Sequence, residues 1–266
     1  MNIIVCIKQV LDPQIPPAKF KIDSEAKRIL PPEGIPPVIN PYDAQAVELA
    51  LKLKEKQTGK ITVLTIGNEA STAVVKHALS MGADDGFVLI DKAFEGSDSF
   101  SIAHILTKAI QKVGAFDLIL CGRQAADWDE GIVGSLLAEN LNLPLVTLAQ
   151  AVEVNGQDLK VKRGILDGYQ SFQLTMPAVV TVSNEIGQPR LPSGWGIITA
   201  ARKKVPVWTA ADIGIDLSLI GANAMRRKLV KLYSPARDRK CELIAGETPG
   251  EAGAKLGDTL RQKGII

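Results

Sequence analysis

One stretch of this chain has residue types and spacing suited to holding a phosphorylated ligand. It reads Gly122-Arg123-Gln124-Ala125-Ala126-Asp127-Trp128-Asp129-Glu130-Gly131-Ile132-Val133-Gly134. The run Phe116 to Cys121 before it is a buried-strand pattern, and Ile132, Val133, Leu136, Leu137 and Leu141 after it recur at helical spacing. The glycines therefore fall at the carboxyl end of a sheet strand and the start of a helix, where main-chain N–H groups and the helix dipole attract anions. No Gly-x-Gly-x-x-Gly follows the first strand and no Gly-x-x-x-x-Gly-Lys-Ser/Thr is present. A phosphate at this loop would be held by backbone N–H groups and Arg123, in a site that binds without evident means of hydrolysis.

The other polar residues of the loop admit two readings each. Asp127 and Asp129 would repel a phosphate, so they accept hydrogen bonds from ribose hydroxyls or cap a solvated turn. Trp128 covers a ligand ring or faces solvent or a partner. His77 and His104 fall inside helical patterns with no acid or nucleophile at a motif spacing, which makes packing or surface roles the expectation for both.

The elements that must position the loop follow a regular alternation. A first strand covers Asn2 to Ile7; a proline-rich excursion runs to about Pro41; a helix follows from Asp43 with Ala46, Val47, Ala50, Leu51 and Leu53 as its apolar stripe. Then come a strand at Ile61 to Ile66, a helix at Glu69 to Met81, a strand at Phe87 to Ile90 and a helix at Ser99 to Val113, with Gly82 and Gly114 as stop signals. Strands alternating with helices predict an α/β fold: a mainly parallel twisted sheet with helices on both faces. From Leu145 the pattern changes, and Asn155-Gly156 between two alternating runs predicts an antiparallel hairpin extension. Beyond Asn184 glycines and prolines predict a long loop, and Pro206 to Ile266 shows only short helical hints. We read residues 1–200 as the nucleotide-binding domain and 201–266 as a C-terminal arm that packs on another subunit.

Composition narrows the classes. With 31 basic and 29 acidic residues the chain lacks a nucleic-acid footprint, although Arg202-Lys203-Lys204 and Arg226-Arg227-Lys228 are local basic blocks. The three cysteines, Cys6, Cys121 and Cys241, form no Cys-x-x-Cys and suggest neither a disulfide framework nor an iron–sulfur centre. No apolar run reaches membrane-spanning length, and the first strand starts too early for a leader, so the expectation is a cytoplasmic protein without direct membrane insertion.

Several blocks resemble the beta subunit of electron transfer flavoproteins, the family that includes the FixA-type proteins. They are Val5-Cys6-Ile7-Lys8-Gln9-Val10, Asn40-Pro41-Tyr42-Asp43, Ala78-Leu79-Ser80-Met81-Gly82-Ala83-Asp84, Asp117 to Ala125 with Asp127 and Asp129, and Pro177 to Val182, in family order over about the first 200 residues. The resemblance implies an adenine-nucleotide-binding, HUP-like fold and a heterodimer with an electron transfer flavoprotein alpha subunit. It implies an electron carrier rather than an enzyme with catalytic residues, and a bound nucleotide. That nucleotide is AMP in single-FAD members and a second FAD in electron-bifurcating ones, where NADH would deliver hydride to it. Carried over by position, the cofactor contacts fall on Cys6, on Asn40, Pro41, Tyr42 and Asp43, on Ile66 and Gly67, and on Gly122, Arg123, Gln124, Ala125, Ala126, Asp127, Trp128, Asp129, Glu130, Gly131, Ile132 and Val133. Arg123-Gln124, and Asp43 after Asn-Pro-Tyr, resemble the bifurcating pattern and favour FAD over AMP. Glu130 departs from that pattern and would oppose an anion if it faced inward. In single-FAD relatives the region 185–198 docks acyl-CoA dehydrogenases; here Gly194-Trp195-Gly196 offers Trp195 to such an enzyme or another flavin dehydrogenase. A universal-stress-type regulatory module shares the broad architecture, but its late Gly-x-x-Gly signature is missing. The Ser-Gly-Gly-x-Asp-Ser loop of ATP-pyrophosphatases is missing as well.

Overall fold

The computed structural model describes residues 1–235 and 241–266. Strand β1 (Asn2–Cys6) opens the chain and leads into β2 (Gln9–Val10). The proline-rich excursion carries a small hairpin, β3 (Lys21–Asp23) with β4 (Arg28–Leu30), and returns through β5 (Val38–Ile39), which pairs with β2. Next come α1 (Pro41–Lys56), β6 (Lys60–Ile66), α2 (Thr72–Met81), β7 (Asp85–Leu89), α3 (Ser99–Val113), β8 (Leu118–Gly122) and α4 (Val133–Leu141). The hairpin extension is β9 (Leu145–Asn155), β10 (Asp158–Ile165) and β11 (Gly168–Thr175), followed by β12 (Ala178–Val182), α5 (Gly194–Arg202), β13 (Val207–Trp208) and α6 (Pro249–Gln262).

A nine-stranded sheet runs β11-β10-β9-β12-β8-β1-β6-β7-β13. Every pairing from β9 to β13 is parallel, and β10 and β11 add antiparallel partners at one edge. The α/β expectation holds. Alternation along β1 divides the core: Ile3 and Val5 face the layer built with α1 and α2, whereas Ile4 and Cys6 face the layer built with α3 and α4. The chain winds from β1 outward through β6 and β7, then returns to β8 on the opposite side of β1. That reversal opens a crevice at the carboxyl ends of β1 and β8, the position where open sheets accommodate ligands.

Three differences from the sequence expectations have local causes. The predicted loop over 185–198 turns helical at Gly194, because the Ser193 side chain accepts the Gly196 N–H at 3.0 Å and caps α5. Two glycines in the first turn had hidden that start. The predicted arm contains the 14-residue helix α6, whose Thr248 cap and Pro249 at the first position are regular start signals. Gly250, Gly253 and Gly257 dilute its helical signature. Finally, β13 adds to the sheet edge beside β7: Trp208 stacks on Phe87 with ring centroids 4.0 Å apart, and Ala210, Ile213, Ile215 and Ile220 join the core under α3.

Candidate functional site

The site begins with the buried Asp43 in the first turn of α1. Its carboxylate accepts the Lys8 N–H at 2.8 Å and the Gly122 N–H at 2.9 Å, so one side chain ties the ends of the neighbouring strands β1 and β8 together. Burial pushes this carboxyl up from an ordinary value near 3.8 to about 7, against the opposing pull of Asn40, the two backbone N–H groups and the Lys8 charge. Asn40, equally buried, braces the loop beyond: its Nδ2 donates to the Gln124 carbonyl at 2.8 Å and its Oδ1 accepts the Ala126 N–H at 3.1 Å. Pro41 occupies the first helical position, where a missing N–H costs nothing.

Gly122 is forced by contact. A Cβ there would stand 2.4 Å from Asp43 Oδ1 and 2.8 Å from the Tyr42 carbonyl carbon. Beyond it the loop closes on itself: Asp129, at φ 51°, donates its N–H to the Ala125 carbonyl and accepts Gln124 Nε2 at 2.8 Å. Arg123 packs over the Tyr42 ring at 5.8 Å, and both Asp127 oxygens take Lys8 Nζ, at 2.8 and 2.7 Å. Asp129 thus spends its hydrogen bonds inside the loop, whereas Asp127 ties the loop to Lys8 beyond β1.

Two helix N-termini face the cavity that this scaffold encloses. At α3 the Asp98 side chain already accepts the Phe100 and Ser101 N–H groups, both at 3.1 Å. Burial raises the Asp98 carboxyl, but the N–H groups of Ser101, Arg226, Arg227 and Phe100 together hold it below the usual carboxylate range. At α4 no side chain caps the helix, and Gly134 lets it lie close: a Cβ would meet Thr181 Cγ2 at 2.5 Å. The open donors at α4 are therefore the ones an incoming anion meets.

The cavity measures about 700 Å³, within the range of sites for cofactor-sized molecules. Of the residues singled out from sequence, Cys6, Asn40, Asp43, Ile66, Gly122, Arg123, Gln124, Ala125, Trp128, Glu130, Gly131, Ile132 and Val133 line it. Pro41, Tyr42, Gly67, Ala126, Asp127 and Asp129 do not line it, and Pro41, Gly67 and Asp129 are exposed. Gly67 has a supporting place, since a Cβ would meet Ser71 Oγ at 2.1 Å. Trp128 lines the cavity while remaining 47% exposed.

Sequence reasoning missed two walls. One is Gly96-Ser97-Asp98-Ser99 with Ile102 and Leu106, a strand-to-helix junction of the same kind as 122–134, which the Asp98 cap could have flagged. The other is Met225, Arg227, Lys228 and Leu229, far away in sequence and visible beforehand only as a basic block. Cys6 and Cys121 sit side by side in register at the cavity floor. The hydrogen bond that the Cys121 thiol donates to Cys6, then burial, push that thiol well above its ordinary range, so it stays protonated and inert as a nucleophile. Burial lowers both His77 and His104, neither of which lines the cavity. Among the described residues no three His, Cys, Asp or Glu side chains converge as a metal cluster, and no helix is long and apolar enough to cross a membrane.

The family model described as "Electron transfer flavoprotein domain" matches residues 32–213. The electron transfer flavoprotein subunit beta of Thermoanaerobacterium thermosaccharolyticum is 38% identical over 267 residues, covering all of both chains. The caffeyl-CoA reductase-Etf complex subunit CarD of Acetobacterium woodii is 34% identical over 267 residues, again covering all of both. The subunit beta of Megasphaera elsdenii is 35% identical over 242 residues, 88% of each chain. The chain belongs to the electron transfer flavoprotein family, among its beta subunits.

Proposed function

We propose that this chain is the beta subunit of a heterodimeric electron transfer flavoprotein and that its cavity holds an adenine nucleotide, with FAD as the preferred occupant and AMP as the smaller alternative. The observation that carries the reading is the open N-terminus of α4 beside Gly122, in a cavity that continues across to the start of α3 and so extends beyond a single phosphate site. Such length suits a dinucleotide. FAD would supply the redox chemistry when bound, with NADH as donor in a bifurcating complex. The chain's own part is to present main-chain N–H groups to phosphate, to hold the loop rigid through Asn40 and Asp43, and to screen the ligand from water with Trp128 and Ile132. The relative named as part of a caffeyl-CoA reductase-Etf complex makes a flavin dehydrogenase a reasonable neighbour.

Surfaces outside the cavity suit partners. Leu166 at the β10–β11 turn is 99% exposed, α6 buries none of its side chains, and Trp195 at the start of α5 is 75% exposed. We assign the hairpin turn and α6 to the alpha subunit and Trp195 to the dehydrogenase, in a cytoplasmic complex. Purification of the complex followed by acid release and quantification of nucleotide tests the assignment. Two FAD per heterodimer with no AMP is the expected result. One FAD with one AMP overturns the preference for FAD, and a beta subunit carrying no nucleotide overturns the whole reading.

A further inference from the structure

Residues 221–229 form a strap across one side of the cavity, and the anchors of this strap are mainly main chain. Ser97 Oγ accepts the Gly221 N–H at 3.1 Å, and Asp98 Oδ2 accepts the N–H groups of Arg226 and Arg227 at 2.7 and 3.2 Å. The Arg226 guanidinium lies over the Phe100 ring at 4.9 Å, while Lys27 Nζ reaches the Leu229 carbonyl at 3.3 Å. The strap therefore stays docked without help from the Arg227 side chain, which is free for another task.

That side chain reaches over the cavity rim to Glu130, Nη1 to Oε1 at 2.8 Å, and Glu130 also accepts Ser99 Oγ. Both Arg227 and Glu130 line the cavity, so the carboxylate that would oppose an anion is neutralised from across the opening. Of the other cations at the cavity, Lys8 is held by Asp127 and Arg123 Nε is bonded to the Gln124 side chain, while Lys228 lines the same strap beside Arg227. The Arg227 side chain is 53% exposed and that of Glu130 30%, and an ion pair so open to water is weakly held. A phosphate offers guanidinium a stronger, bidentate partner.

We propose that Arg227 is a phosphate-binding residue of this cavity and that Glu130 is its resting counter-ion, which yields the guanidinium to a phosphorylated ligand. The inference rests on the reading of the cavity as a nucleotide site. It makes Glu130 a competitor for Arg227 and sets opposite signs for the two residues. The strap becomes a third source of ligand contacts beside the loop 122–134 and the start of α1.

Calorimetric titration of the full chain, alone and in its complex after removal of bound nucleotide, with ADP and with adenosine tests it. Arg227→Ala should weaken ADP binding by about tenfold or more and leave adenosine unaffected, because only a charge-assisted contact to phosphate is lost. Glu130→Gln should tighten ADP about threefold, by freeing the guanidinium and removing a negative charge. Arg227→Lys should recover part of the loss. Unchanged ADP affinity in Arg227→Ala overturns the proposal, as does equal weakening of ADP and adenosine in both variants, the pattern of a purely structural pair. Wild-type protein that takes up neither ADP nor adenosine would instead overturn the nucleotide reading itself. If Arg227→Ala does not fold, Glu130→Gln alone decides: weaker ADP binding is incompatible with competition.

Discussion

Gly122→Ala is expected to destabilise the fold by about 3 kcal/mol or more and, on the proposed reading of the cavity, to abolish nucleotide retention. One added methyl group has this effect because the site leaves no space in which to relax. The new Cβ would meet Asp43 Oδ1 at 2.4 Å, the Tyr42 Cβ at 2.7 Å and the Tyr42 carbonyl carbon at 2.8 Å. The first is a buried carboxylate already fixed by two backbone donors and the last is main chain of α1, so neither neighbour is the free end of a flexible side chain. Overpacking of this kind costs about 1 to 3 kcal/mol. Displacing Asp43 adds about 1 to 3 kcal/mol for each backbone N–H left buried and unpaired. The ends of β1 and β8 would part, taking with them the alignment of the loop that leads to α4. Urea denaturation and nucleotide release on gel filtration read the two effects together. Gly253→Ala is the control: nothing lies within 4 Å of a Cβ there, the position is helical, and the change should be neutral or stabilising by about 1 kcal/mol. A Gly122→Ala protein that keeps its nucleotide and its denaturation midpoint would show that close backbone approach is not what the glycine provides.

The contrast between these two glycines shows what was legible in the sequence. Periodicity identified the layers: Ile3, Val5 and Ile4, Cys6 fall on opposite faces of β1 as alternation requires, and Gly82 and Gly114 end α2 and α3 at φ 127° and 101°. The loop 122–134 was legible because strand, glycine and helix start follow one another without interruption. The purpose of Asp43 was not. Its two acceptors serve Lys8, 35 residues away, and Gly122, 79 residues away, and no local pattern encodes such a bond. The same holds for the strap, since Arg227 meets Glu130 only through the docking of residues 221–229 on the start of α3. Helices α5 and α6 were missed for a different reason. Their glycines lower the helical signal, and capping by Ser193 and Thr248 makes up for part of it. Long-range polar bonds and capped glycine-rich helices are the two kinds of feature that one-dimensional reading passes over.

Asp43 gives the second large effect, and its sign is fixed by linkage. The folded protein holds this carboxyl at about 7, above the value near 3.8 expected in the unfolded chain, because burial disfavours the charge more than its hydrogen bonds favour it. Between those values the native state binds the proton more tightly than the unfolded state does, so stability falls as pH rises through this window. The contribution is fully present below about pH 4 and lost above about pH 7. The displacement corresponds to about 4 kcal/mol across the whole range. Asp43→Asn removes the titration and keeps the shape, while its Nδ2 now faces one of the two N–H groups, a mismatch of about 1 to 3 kcal/mol. The variant should therefore be the less stable protein near pH 5, and the gap between the two should narrow or close by pH 8. Denaturation midpoints measured at pH 5, 6, 7 and 8 for both proteins read the trend directly. Parallel curves would mean that Asp43 keeps its ordinary acidity in the fold and that the carboxylate clasping β1 and β8 is ionised throughout. The same window would then have no bearing on ligand binding. If the curves converge, nucleotide retention should weaken over the same interval, because the negative charge that appears at Asp43 lies beside the amides of Lys8 and Gly122 at the base of the cavity.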